Sequence, residues 1–161
     1  CVRAGKSVRP DLARADVFLG QAASALAGRQ SWAQVEWRQL ADRAVGTYRA
    51  ARDAWKSAAR KNAPDAAFHE WRRREKRLLY QCEFLGRGAG LARITRRADR
   101  LGEVLGEIQD LCMAADWLAG QQGAFVPPDL ERTKNRLKRQ ALNLGGGLFS
   151  PKPREFRKLL R

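Results

Sequence analysis

One histidine, His69, and one methionine are all that the sequence holds of either type, and its three cysteines, Cys1, Cys82 and Cys112, show no CxxC spacing. A structural zinc site takes about four Cys or His ligands, so this inventory argues against one. Acidic residues are scarce too, Asp+Glu 17 against Lys+Arg 32. They are scattered, whereas phosphate hydrolysis on a metal would want carboxylates or histidines gathered in a cluster. No Gly-rich phosphate loop follows a strand and opens a helix. No Ser or Cys nucleophile neighbours His69, so catalysis has little to stand on. No apolar run reaches the roughly 20 residues of a spanning helix, and no signal peptide is visible. The expectation is a non-enzymatic chain with no cofactor, no metal and no membrane partner.

What is abundant is positive charge. The formal net charge is +15, and the 32 cations divide into 24 Arg and 8 Lys. Such a surplus repels itself in a compact fold and is best tolerated when a polyanion is the partner. Arginine's planar fork suits bidentate contact with phosphate oxygens. Hydrophobic residues make up 44% of the chain, which predicts a packed core rather than disorder. Cys82 and Cys112 fall in apolar helical contexts and read as buried thiols of a reducing compartment. The sequence starts at Cys1 with no initiator Met, so a piece of a longer chain is expected.

The apolar pattern is helical nearly throughout, and no convincing strand appears. It predicts helices over 11–27, from Ser31 to about Lys61, from Pro64 or Asp65 to about Leu85, over about Leu91 to Ala119, and over about Pro128 to Leu144. Asn62-Ala63-Pro64 and the GRGAG run break the pattern, and GGG (Gly145–Gly147) is read as ending the last helix. Phe149, Phe156 and Leu159 are expected to dock a tail, 145–161, on the bundle. The fold class is therefore all-α, an antiparallel bundle of about five long helices in one domain, 1–161. Met113 and most of the five tryptophans are placed on core stripes.

The third helix carries FHEWRRREKRLLY, Phe68 to Tyr80. At about 100° per residue, Trp71, Leu78, Leu79 and Cys82 fall within about 80° of Phe68 and form a buried stripe. His69, Arg72, Arg73, Lys76 and Tyr80 share a neighbouring sector, with Arg77 just past it, and Arg74 and Glu70 further round. Like charges at i, i+3 and i+4 destabilise an isolated helix by roughly 0.2–0.5 kcal/mol per pair. An anionic ligand would relieve that repulsion. Further basic faces stand at Arg49 and Arg52, at Arg93, Arg96, Arg97 and Arg100, and at Lys134, Lys138 and Arg139. Together they could line a groove or channel.

HEWRRREKRLLY resembles the H-x-x-R-x-x-x-K-x-x-x-Y helix of CHAD domains (conserved histidine α-helical domains). YRAAR (Tyr48–Arg52) on the preceding helix, LGEIQD (Leu105–Asp110) on the following one and the tail GLFSPKPREF (Gly147–Phe156) agree with it in order. The resemblance runs from about residue 12 to the end and looks like the C-terminal half of such a domain. It implies half of a pseudo-symmetric two-bundle fold, whose central cavity binds inorganic polyphosphate. His69, Arg72, Lys76 and Tyr80 would line that cavity, joined by Arg49, Arg52, Arg73 and Arg77, with Lys134 and Lys138 adding to the basic lining. A missing N-terminal half-domain or a second copy about a two-fold axis would complete it. The implied location is cytoplasmic, at polyphosphate granules. Three positions depart from the family pattern: Glu75, Leu79 and Gln109. Glu75 projects close to the buried stripe, where a neighbouring arginine is expected to pair with it, and Asp110 is expected to pair with a cavity arginine.

Two other readings fit parts of the pattern. A basic helical bundle could bind nucleic acid, with aromatic rings stacking on bases. A histidine phosphotransfer bundle would also show one histidine on a helix, although His69 stands beside Glu70-Trp71 and dense positive charge.

Overall fold

The computed structural model describes residues 36–86, 88–120 and 127–160. The helix expected over 11–27, the start of the next one and Trp32 lie outside the described residues. Within them α1 spans Trp37–Ala58, α2 Asp65–Leu85, α3 Ala89–Ala119, α4 Pro128–Leu148 and α5 Pro153–Lys158. No strand occurs among the described residues, so the all-α class stands. No helix there is long and apolar enough to cross a membrane.

Each helix follows its apolar repeat. α1 buries Ala41, Ala44, Val45, Tyr48 and Ala51, three or four residues apart. It stops before Asn62, whose φ of 60° is a left-handed value that asparagine tolerates. Pro64 then precedes α2, where a missing N–H costs nothing. α2 buries Phe68, Trp71, Leu78, Leu79 and Cys82, the stripe the sequence predicts, together with Glu75. Gly86 ends it. α3 turns Leu91, Ile94, Ala98, Leu101, Leu105 and Ile108 inward. From α1 to α4 each helix packs on the next in the chain, and α4 and α5 both return to α1. The bundle closes on itself around one apolar core.

The structure departs from expectation at the end of α4. The helix runs through Gly145–Gly147 to Leu148 instead of stopping at Leu144. Packing explains the glycine: a Cβ on Gly145 would come within 2.6 Å of Trp55 Cδ1 and 2.7 Å of Trp71 Cζ2. The glycine is a contact surface for two indoles from α1 and α2, not a terminator. Helix ends also leave carbonyls without partners, and here they find them. Tyr48 Oη shares its proton between the carbonyls of Leu148 (3.2 Å) and Pro151 (2.9 Å). Arg97 Nη1 reaches the Gly147 carbonyl at 2.9 Å, and Arg52 Nε the Phe149 carbonyl at 3.1 Å.

The residues after α4 pack against α1. Phe149 and Phe156 are fully buried, worth roughly 1.5–3 kcal/mol each by area. Tyr48 stacks on Phe156 with centroids 4.3 Å apart and tilts against Phe149 at 5.6 Å. Burial pushes the Tyr48 phenol up to about 12; the Arg52 charge opposes the shift and Glu155 adds to it. Trp37 Nε1 donates to the Leu160 carbonyl at 3.1 Å. Some core placements fail. Trp37, Met113 and Trp117 are more than half exposed, and Trp71 alone of the described tryptophans is fully buried.

Two substitutions separate the roles of the glycines. A mid-helix Gly→Ala change ordinarily gains up to about 1 kcal/mol, and Gly147→Ala should do so, since no atom lies within 4 Å of its Cβ position. Gly145→Ala should instead lose about 1–3 kcal/mol by overpacking the tryptophans. Urea unfolding of both variants checks this; equal shifts would sink the packing account.

Candidate anion-binding site

Gly102 and Gly106, one turn apart, give α3 a flat strip against α2. A Cβ on Gly106 would lie 2.6 Å from Arg72 Nη1. One on Gly102 would lie 2.9 Å from Glu75 Oε2 and 3.1 Å from Lys76 Nζ. The absent side chains therefore make room for the heads of three α2 residues. Arg72 Nη1 uses that room to donate to the Gly102 carbonyl at 2.7 Å. A charge-assisted bond of this kind fixes the guanidinium's direction.

Outward from that strip lies an open groove of about 560 Å³. Arg72, Arg73, Lys76, Arg77 and Tyr80 line it from α2, together with Gln81 and Phe84, and Gln109 faces them from α3. Half of the ten sequence-predicted site residues thus meet in one place. Arg73 stands 3.4 Å from Glu70, while Arg74, on the other flank of α2, binds Glu70 at 2.6 Å. Arg72, Lys76 and Arg77 have no carboxylate partner in an ion pair among the described residues. Tyr80 is 62% and Phe84 74% exposed, so both rings stand open. Phe84 and Gln81 were not picked out from sequence; they continue the sector of Arg73, Arg77 and Tyr80 by one turn.

The other predicted residues go elsewhere. His69 is half-buried on α2, one turn before Arg72, and lines none of these grooves. Arg49 points to solvent. Arg52 is spent on the Phe149 carbonyl. Lys134, buried, bonds Asp65 at 2.9 Å and Glu131 at 2.6 Å. Lys138 also pairs with Asp65 and lies 5.1 Å over the Phe68 ring. Burial works against an ionised Asp65, yet its bonds to Lys138 and Lys134 win and hold it down at about 2. Burial likewise opposes charge on Lys134, but Glu131 and Asp65 raise its pKa well above the usual lysine value. This cluster ties α2 to α4. Asp110 is exposed and in no ion pair among the described residues. Arg93, Arg96, Arg97 and Arg100 line a separate pocket of about 450 Å³ between α3 and α4.

Beneath the groove sits Glu75, fully buried. The arginine partner expected for it is absent: neither carboxylate oxygen has a hydrogen bond. The reason is geometric, because Arg72 is drawn off to the Gly102 carbonyl. Burial pushes the Glu75 carboxyl up to about 8; the nearby charges of Lys76 and Arg72 pull against that, and Asp99 adds to it. Desolvation outweighs the two cations.

An all-helical bundle with an arginine- and lysine-lined groove is one class of protein; its family follows from comparison with known sequences. The family model described as CHAD domain matches residues 5–119. The chain belongs to the CHAD family. The matched stretch begins before residue 12 and ends with α3, so the tail motif and Lys134 and Lys138 fall outside it. No curated protein and no solved structure gave a match.

Glu75 should govern part of the stability–pH profile. Its folded pKa of about 8 exceeds the ordinary glutamate value of 4.5. Between those values the native state holds a proton that the unfolded state has released, so stability falls as pH rises through that window and levels off above it. Glu75→Gln, uncharged throughout, should gain on the parent by up to a few kcal/mol across the window. Urea unfolding from about pH 5 to about pH 8.5 checks this; a pH-independent gap would count against it.

Proposed function

We propose that this bundle binds inorganic polyphosphate by electrostatic capture, without turnover, in the α2–α3 groove. The observation that carries the reading is the convergence of Arg72, Arg73, Lys76, Arg77 and Tyr80 on one open groove. Membership of the CHAD family supports it. A phosphate chain offers regularly spaced oxyanions with no base or sugar to read. Arginine forks take oxygens in pairs, Lys76 acts as a point charge and the Tyr80 hydroxyl donates a neutral bond. Binding releases counterions, so affinity falls steeply with salt, with a slope set by the number of phosphates neutralised. The groove is open to solvent along one side, and a second half-domain or a second copy of the chain would enclose the polymer there. Association with polyphosphate granules in the cytoplasm follows naturally from such binding.

One observation favours a second reading. Tyr80 and Phe84 present exposed rings at the groove, and exposed aromatics beside cations are what single-stranded nucleic acid uses. Competition at fixed salt separates the two. Long-chain polyphosphate should displace single-stranded RNA and DNA at lower phosphate concentration, and the reverse order would favour nucleic acid.

Within the groove, Lys76→Ala and Arg72→Ala should each weaken binding of tripolyphosphate about tenfold, near 1.4 kcal/mol. Arg74→Ala, on the other flank of α2, should leave it within about twofold. Calorimetric titration at low salt measures all three; equal losses would mean diffuse charge rather than a site.

A further inference from the structure

Arg77 and Gln81 belong to two grooves. Besides lining the α2–α3 groove, they line a second one of about 370 Å³ between α1 and α2. Its other walls are Arg43, Gly46, Thr47 and Ala50 from α1 and Arg74 from α2. Arg77 and Gln81 lie one turn apart, so they form a saddle over which the grooves meet. Arg43 is exposed and in no ion pair among the described residues, as is Arg77. Arg74 is held by Glu70 at 2.6 Å, which offsets part of its charge and fixes its position.

Gly46 adds an independent observation. It lies in the middle of α1, where glycine weakens a helix relative to alanine. The buried helical glycines Gly102, Gly106 and Gly145 each admit another side chain, whereas Gly46 is exposed. At Gly46 nothing lies within 4 Å of a Cβ position. The space beside it is therefore open on the α1 wall of a groove that also holds three arginines.

We propose that the anion path crosses α2 at Arg77 and Gln81 and continues into the α1–α2 groove, where Arg43 and Arg74 take further phosphates of a long chain. The inference rests on the polyphosphate reading above and adds a length preference to it. Short chains occupy the α2–α3 groove alone. Long chains span both, and the second groove acts as a tethered site reached at high effective concentration.

The test compares tripolyphosphate with long-chain polyphosphate on the full chain. Arg43→Glu should weaken long-chain binding about tenfold and change tripolyphosphate binding less than about twofold. Gly46→Trp, which would put an indole into that groove, should do the same, whereas Gly46→Ala should leave both ligands unchanged. Loss of long-chain preference in both Arg43→Glu and Gly46→Trp supports the extended path. If Lys76→Ala weakens both ligands while Arg43→Glu and Gly46→Trp do not distinguish long from short chains, the extension is overturned and the first groove stands. If Lys76→Ala affects neither ligand, the polyphosphate reading falls and the extension with it.

Discussion

Arg72 reaches across from α2 to the Gly102 carbonyl and lies flat where Gly106 has no side chain. That contact sets how closely the two helices approach and which way the cations beside it face. With a larger residue at either glycine, the guanidinium would be pushed outward and the strip that seats Glu75 and Lys76 would vanish. The groove is thus a consequence of two missing side chains on one helix as much as of the charges on the other. The same contact strands Glu75. Turned toward a main-chain carbonyl, the guanidinium makes no hydrogen bond to the carboxylate beside it, and the acid is left to its desolvation.

Cations here divide into two kinds of work. Arg52 and Arg97 satisfy carbonyls at the end of α4, Lys134 and Lys138 grip Asp65, and Arg157 pairs with Asp42. These are structural contacts between helices. The groove residues Lys76 and Arg77 have no such partner among the described residues, and their repulsion is left for solvent or ligand to screen. A high net charge alone therefore overstates the binding surface, because much of the arginine is already in use as a donor to the fold.

The fold was legible in sequence wherever burial has a period. The α2 stripe of Phe68, Trp71, Leu78, Leu79 and Cys82 came directly from the helical repeat; of the neighbouring sector, Arg72, Arg73, Lys76 and Tyr80 line the α2–α3 groove with Arg77 just past them, and His69 does not. Composition misled at Gly145–Gly147, where a run that reads as a helix stop stays helical and Gly145 is a packing surface for Trp55 and Trp71. Long-range partners were invisible for a plain reason: nothing in YRAAR says that Arg52 will meet a carbonyl 97 residues later, or that Lys134 will meet Asp65. A helical wheel gives the direction of a side chain, not what waits there. His69 is the clearest case, since it shares the right sector and lies beyond the groove's end.

The clasp around Tyr48 also bears on how the chain assembles. Its hydroxyl bonds carbonyls 100 and 103 residues away, and its ring stacks on Phe156. On a ribosome α1 emerges long before those partners exist, so this part of its buried face must wait for them. Such long-range closure is entropically late. The final step of folding is then the arrival of a few C-terminal residues that lock the first described helix to the last. Until they arrive, Tyr48 lacks the two carbonyls and the Phe156 ring that cover it.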